Sequence, residues 1–185
     1  MDDAFNLASD LAVDDYFDFD RKQRRRKPRV LRWDSNERLP VDKLLLDTAY
    51  GYTLDVVRLL IGDVSWELRE GAWLNSVLGY QSVVVERKTL ADLRDVARLC
   101  EQLARLTSFG DILPILLIDH RFDTDMRRRW KENAVLNAEL SIQFSGVKTT
   151  HCAEGSLAER LDSLYVWSQK ANHILVGETR TRAPK

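Results

Sequence analysis

Between residues 29 and 172 the spacing of apolar side chains changes period repeatedly, and each change marks an element. "RVLRWD" (Arg29–Asp34) is a short strand ending on an acid, and "LPVDKLLLDTAYG" has the spacing of a helix that Gly51 closes. "TLDVVRLLIGDVSWELRE" is rich in β-branched and aromatic residues with a glycine in mid-run, which predicts two consecutive strands, or one strand bent near Gly62-Asp63. "GAWLNSVLGYQ" reads as a connecting loop and "SVVVERK" as the partner strand. From 89 to 107, Leu93, Ala97, Cys100 and Ala104 recur at helical spacing, beside a polar stripe of Arg94, Arg98, Glu101 and Arg105. "ILPILLIDH" is a continuous apolar run, as expected of a strand covered on both faces. A helix over about 125–144, a strand in "GVKTTHC" and a last helix in "SLAERLDSLYVWSQKA" complete the pattern. Strands and helices alternating in this way predict an α/β class built on a central sheet.

Composition narrows this to one soluble domain with a full core, since 44% of the 185 residues are hydrophobic and 31% charged. No window approaches the roughly 18 apolar residues of a membrane span, so no membrane association is expected. The first 20 residues also lack the basic-then-apolar order of a signal peptide. Cys100 and Cys152 lie far apart, outside any CxxC context, which points to a reducing intracellular compartment and no zinc site. The net charge of −1 hides a segregation: residues 1–20 carry acids and no base, and "RKQRRRKPR" follows at 21–29. That run suits a DNA-contacting arm, a nuclear address or a solvated tail. The expected organisation is a charged extension over 1–28, one domain over 29–172 and a basic tail over 173–185.

The chemistry-bearing residues cluster around the charged end of "SVVVERK". If the "LLIGD" strand end and this strand are neighbours, Asp63 sits at a bend, and Glu86 and Lys88, two residues apart, share one strand face. Two carboxylates beside an ammonium form a sparse oxygen site for a hard divalent cation such as Mg²⁺, with positions left for water and phosphate. Such a metal orients or acidifies the attacking water and neutralises charge on a phosphodiester, while Lys88 holds or activates that water. Arg87, on the opposite face, is available to clamp a phosphate or to pair with a nearby acid.

"GD" at 62–63 and "VERKTLAD", with Asp92 four positions after Lys88, resemble the GD…ERKxxxD signature of the XPF-type structure-specific endonucleases, a branch of the PD-(D/E)XK superfamily. Upstream, "WDSNERLP" stands where that family has an Asp-x-Arg-Glu segment. Downstream, "ILPILLIDH" and "AELSIQFSGVKTTHCAEGSLAERL" are similar in order and character to its later strand, Ser-Ile-Gln helix, strand and helix. The resemblance covers nearly the whole expected core and implies a restriction-endonuclease-like three-layer fold, a central mixed β-sheet flanked by helices. It implies an Mg²⁺- or Mn²⁺-dependent endonuclease acting on flap, fork or junction DNA in repair, recombination or replication. Carried over residue by residue, Asp63, Glu86 and Asp34 are the metal ligands, Lys88 positions the water, and Glu37 and Asp92 support the site. Three features depart from the pattern, one being the long separation of Asp63 from Glu86, which implies an extended hairpin loop near Trp73 to Tyr80. Asn36 replaces the upstream Arg, and the tandem helix-hairpin-helix module that usually follows the domain is not expected after the last helix.

Structural readings stand beside these functional ones. Asp34 and Glu37 fit a helix capping pair, and Thr89-x-x-Asp92 fits a capping box. Arg127, Arg128 and Arg129, with Lys131, form a basic cluster suited to tracking a phosphate backbone or to a solvated helix face. The three histidines are dispersed, without ligand spacing. The stripe Leu157, Leu161, Leu164, Val166 and Trp167 resembles the family's dimerising surface and predicts a homodimer through the C-terminal helices. At the level of function, the alternatives are a catalytically silent scaffold for an active subunit and a sequence-specific restriction or homing-type nuclease on the same core. A scaffold is expected to have lost an acid or the lysine, and this chain keeps Asp63, Glu86 and Lys88.

Overall fold

The computed structural model describes residues 28–120, 132–153 and 155–173. Six strands form one sheet: β1 (Arg29–Asp34), β2 (Tyr52–Val57), β3 (Val64–Glu67), β4 (Ser82–Thr89), β5 (Ile112–Asp119) and β6 (Lys148–Cys152), in the order β2-β1-β3-β4-β5-β6. β3 runs antiparallel to both β1 and β4, whereas β1–β2, β4–β5 and β5–β6 are parallel pairs, so the sheet is mixed. The helices are α1 (Pro40–Thr48), a short α2 (Trp73–Ser76), α3 (Val96–Thr107), α4 (Glu132–Phe144) and α5 (Leu157–Ser168).

Strand alternation divides the core in two. On one face Leu31, Trp33, Trp66, Val83, Val85, Ile115 and Leu117 pack with Leu46 of α1 and with Leu157 and Leu161 of α5. On the other, Val84, Leu116 and Ile118 pack with Leu99, Leu103 and Leu106 of α3 and Ile142 of α4. Helices, sheet and helices therefore make the three layers expected. β5 is buried along its whole length, as its unbroken apolar run predicts.

Several expectations shift in detail. The run around Gly62 is indeed two strands, but β1 lies between β2 and β3, so strands consecutive in sequence are not neighbours in the sheet. The expected loop after β3 contains α2. The helix expected from residue 89 is a one-turn 3-10 segment, Asp92–Arg94, followed by a break at Asp95, whose side chain accepts from the Arg98 amide to cap α3. That restart moves the buried face of α3 to Leu99, Leu103 and Leu106 and leaves Ala97, Cys100 and Ala104 exposed. Three leucines bury far more apolar area than two alanines and a cysteine, and this decides the helix phase. On α5, Leu157 and Leu161 are spent in the chain's own core, so the expected dimerising stripe contracts to Leu164, Val166 and Trp167, of which Trp167 is exposed. The residues expected to form the N-terminal extension lie outside the described residues except Pro28, as do Arg127, Arg128, Arg129 and nearly all of the basic tail.

Candidate active site

Gly62 begins the construction of the site. Its φ of +73° is open to glycine and costly for other residues, and a Cβ there would stand 2.3 Å from Val84 Cγ1. This close approach lays the β2–β3 connection against β4. The Asp63 amide then donates to Val85 O at 2.8 Å, and Asp63 O accepts from the Asp34 amide at 2.8 Å, so one residue is fastened to β4 and β1 together. The Asp63 side chain is held as well, its Oδ2 accepting from the Arg87 amide at 2.6 Å.

On β4, Glu86 and Lys88 share the face covered by α3, as period-two alternation requires. Both are buried, and Lys88 Nζ donates to Glu86 Oε1. Asp34, Asp63 and Glu86 line one cleft of about 160 Å³ with residues 59–62 of the β2–β3 connection and Gln102, Arg105 and Leu106 of α3. The structure thus brings three of the acids predicted from sequence to one place and sets the predicted lysine against one of them.

The charge balance of the cleft is acidic. Burial, and then the nearby charge of Glu86, push the Asp63 carboxyl from an ordinary 3.8 up to about 7, against the opposing pull of the Arg87 amide and of Lys88. Two carboxylates that repel each other in a partly buried, all-oxygen setting fit a hard divalent cation. Among the described residues no three His, Cys, Asp or Glu side chains close around a single metal position. Asp63 and Glu86, with Asp34 on the same cleft wall, are the candidate ligands for such an ion.

A raised carboxyl pKa makes the protonated side chain the favoured form in the folded state. The stabilisation it brings is complete below the unfolded value of 3.8 and is lost as pH rises through about 7. Thermal unfolding of the metal-free protein should therefore shift to lower temperature between pH 5 and pH 8, and Asp63→Asn should remove that component. A wild-type midpoint that climbs over this interval with the slope of Asp63→Asn contradicts the assignment.

The remaining predicted residues have separate positions. Arg87 projects to the other face of β4, where its Nε donates to Asp119 Oδ2 at 2.8 Å and its Nη1 lies 3.6 Å from Glu37 Oε2. Of the two roles foreseen for it, pairing with an acid is the one observed. Glu37 thereby joins the ion-pair group behind β4 rather than a helix cap. α1 starts at Pro40 without a side-chain cap, and Asp34 Oδ1 instead accepts from the Asn36 amide at 2.8 Å. Thr89 and Asp92 do form the reciprocal box: Asp92 Oδ2 accepts from the Thr89 amide (2.9 Å) and hydroxyl (2.8 Å), and the Asp92 amide donates to Thr89 Oγ1 at 3.3 Å. Partial burial opposes ionisation of Asp92, yet those bonds and the charges of Lys88 and Arg87 outweigh it and hold the carboxyl below its ordinary range.

Sequence reasoning missed two groupings. His120 and His151, far apart in the chain, stack with Nε2 and Nδ1 2.8 Å apart, and His151 Nε2 lies 3.2 Å from Glu139 Oε1. Parallel pairing of β5 with β6 places them side by side, and only that pairing could have signalled it. Gln102 and Arg105 stand on the cleft wall, and their one-turn spacing on α3 is visible in the sequence once the phase of that helix is known.

A mixed six-stranded sheet with helices on both faces, and acids gathered where two strands and a connection meet, defines a restriction-endonuclease-like core. A family model described as the ERCC4 domain matches residues 28–164, and the chain belongs to that family. Among solved structures it is similar to XPF from Aeropyrum pernix, at 21% identity and a TM-score of 0.50, over 82% of this chain and 69% of that one. It is similar also to XPF from Aeropyrum pernix in complex with DNA, at 21% identity and a TM-score of 0.54, over 86% and 68% of the two chains. These likenesses confirm the fold predicted from the motifs. No curated protein matches the sequence.

Proposed function

We propose that the protein is a DNA endonuclease that hydrolyses phosphodiester bonds at the Asp63–Glu86 cleft with Mg²⁺ or Mn²⁺ and selects its substrate by the structure of the DNA, as at a flap, fork or junction. One observation carries this reading: in a chain of the ERCC4-domain family, Asp34, Asp63 and Glu86 line a single cleft. The likeness to an XPF solved in complex with DNA supports DNA as the substrate class.

When bound, the divalent ion supplies an activated water and a positive charge against the phosphate oxygens. The chain's own residues do the rest. Asp63 and Glu86 supply the carboxylate ligands, and the backbone bonds from Asp63 to β1 and β4 keep them in fixed register. Lys88, paired with Glu86, places an ammonium beside that carboxylate, where it orients the water and offsets charge on the phosphate. Arg87, Glu37 and Asp119 form ion pairs on the opposite face of β4 and so brace the strand that carries Glu86 and Lys88. The retention of both acids and the lysine, arranged together, favours this reading over a silent scaffold.

The test is cleavage mapping on matched flap, fork, nicked, four-way junction and linear duplex substrates with Mg²⁺. The proposal expects cuts confined to branched substrates near the branch point. Equal cutting of linear DNA at one sequence would favour a restriction or homing-type enzyme, and binding without cutting of any substrate would favour a scaffold.

A further inference from the structure

The core does not account for every polar atom of α3. Leu99, Leu103 and Leu106 fix this helix to the sheet, but Gln102 turns to the cleft, and its Oε1 is enclosed with no hydrogen-bond partner among the described residues. A buried amide without a partner costs about 1–3 kcal/mol, and native proteins hold few of them. Arg105, one turn further along, is exposed and is, among the described residues, the one cation on the cleft lining, which it shares with Asp34, Asp63 and Glu86.

Chemistry restricts what can satisfy this pair. The Gln102 amide oxygen is an acceptor, so neither an anionic phosphate nor a further carboxylate can satisfy it. Water can, because it donates. A guanidinium on the same lining as three acids is suited to a phosphate group that enters between them.

Resting on the nuclease reading above, we propose that Gln102 is a positioning residue for the attacking water and that Arg105 binds a phosphate of the DNA strand at the same cleft. Gln102 Oε1 accepts one hydrogen of the water and so aims its lone pair at phosphorus. The water oxygen forms the new bond to phosphorus and the bond to the leaving sugar oxygen breaks. One water proton ends on that leaving oxygen and the other passes to solvent, while the amide gains and loses none. Arg105 holds the non-bridging oxygens of a phosphate as they enter.

Gln102→Met keeps the length of the side chain and removes its hydrogen bonding. Because it also removes an unmet buried acceptor, the protein without metal or DNA should melt at the same or a higher temperature than wild type. Single-turnover cleavage of a fork with Mg²⁺ should fall by about 10- to 100-fold, the scale of one lost transition-state hydrogen bond. DNA affinity measured by anisotropy in EDTA should stay within about twofold of wild type. Arg105→Ala should instead weaken DNA binding several-fold and lower the salt slope by about one ion, while Arg160→Ala on α5 changes neither. Wild-type cleavage rates in Gln102→Met overturn the proposal and leave the nuclease reading standing. A lower melting temperature together with lost cleavage makes Gln102 a packing residue and also overturns it. A wild-type chain that cuts no DNA removes the nuclease reading, and this inference with it.

Discussion

Asp63→Asn should abolish DNA cleavage while leaving the protein at least as stable as wild type above pH 7. The two halves of this result have different origins. Asparagine keeps an oxygen that can accept from the Arg87 amide, so the link from the β2–β3 connection to β4 survives. It also removes a buried carboxyl whose pKa burial and Glu86 raise to about 7, so above that pH it relieves the repulsion of the ionised form in the metal-free state. What it cannot supply is an anionic ligand. Losing several kcal/mol of charge stabilisation in the transition state corresponds to at least about a 10³-fold loss of rate. Thermal melts and single-turnover cleavage of the same preparation check both halves. A variant that unfolds readily would make Asp63 a structural residue, and one that cuts at the wild-type rate would remove it from the site.

The second large effect is Gly62→Ala, which should destabilise the fold by about 2–4 kcal/mol, from left-handed backbone strain and overpacking together. At a chain of this size that lowers the melting temperature by roughly 4–16 °C. The added Cβ would meet Val84 Cγ1 at 2.3 Å and Val85 O at 3.1 Å, so the β2–β3 connection has to lift from β4. Asp63, the next residue, is fastened to Val85 by its amide, and cleavage should fall along with stability. Gly79→Ala is the control. It shares a positive φ of +80°, but its Cβ would point into open space, so only the strain of about 1–2 kcal/mol remains. Equal losses in the two variants, by thermal or denaturant melts, would show that the contact with Val84 does not matter.

What could be read from the sequence was local and periodic. Strand alternation in "SVVVERK" placed Glu86 and Lys88 on one face and Arg87 on the other, and β4 has that arrangement. The continuous apolar run at β5 signalled burial on both faces, and the Thr89–Asp92 box was visible from its spacing. Non-local order was not visible. Nothing in the run from residue 52 to 67 says that β1 will insert between β2 and β3, because that depends on pairing free energies across the whole sheet. The phase of α3 is not legible from periodicity alone, because Ala97, Cys100 and Ala104 match a helical period as well as the leucines do. The break at Asp95 and the larger area of Leu99, Leu103 and Leu106 decide between them. Gln102 was hidden by the same ambiguity, since its place on the cleft follows from that phase. Asp34 and Glu37 have the spacing of a cap, but α1 begins too late to use them, and one turns to the cleft while the other meets Arg87.

The claim that Asp63 and Glu86 form a divalent-ion-dependent phosphodiesterase site is tested most directly by one side-by-side assay. End-labelled fork DNA is incubated with wild-type protein and Mg²⁺, with wild-type protein and EDTA, and with Glu86→Gln and Mg²⁺. Cutting near the branch in the first reaction alone is the predicted result. Cutting that persists in EDTA or in Glu86→Gln contradicts it.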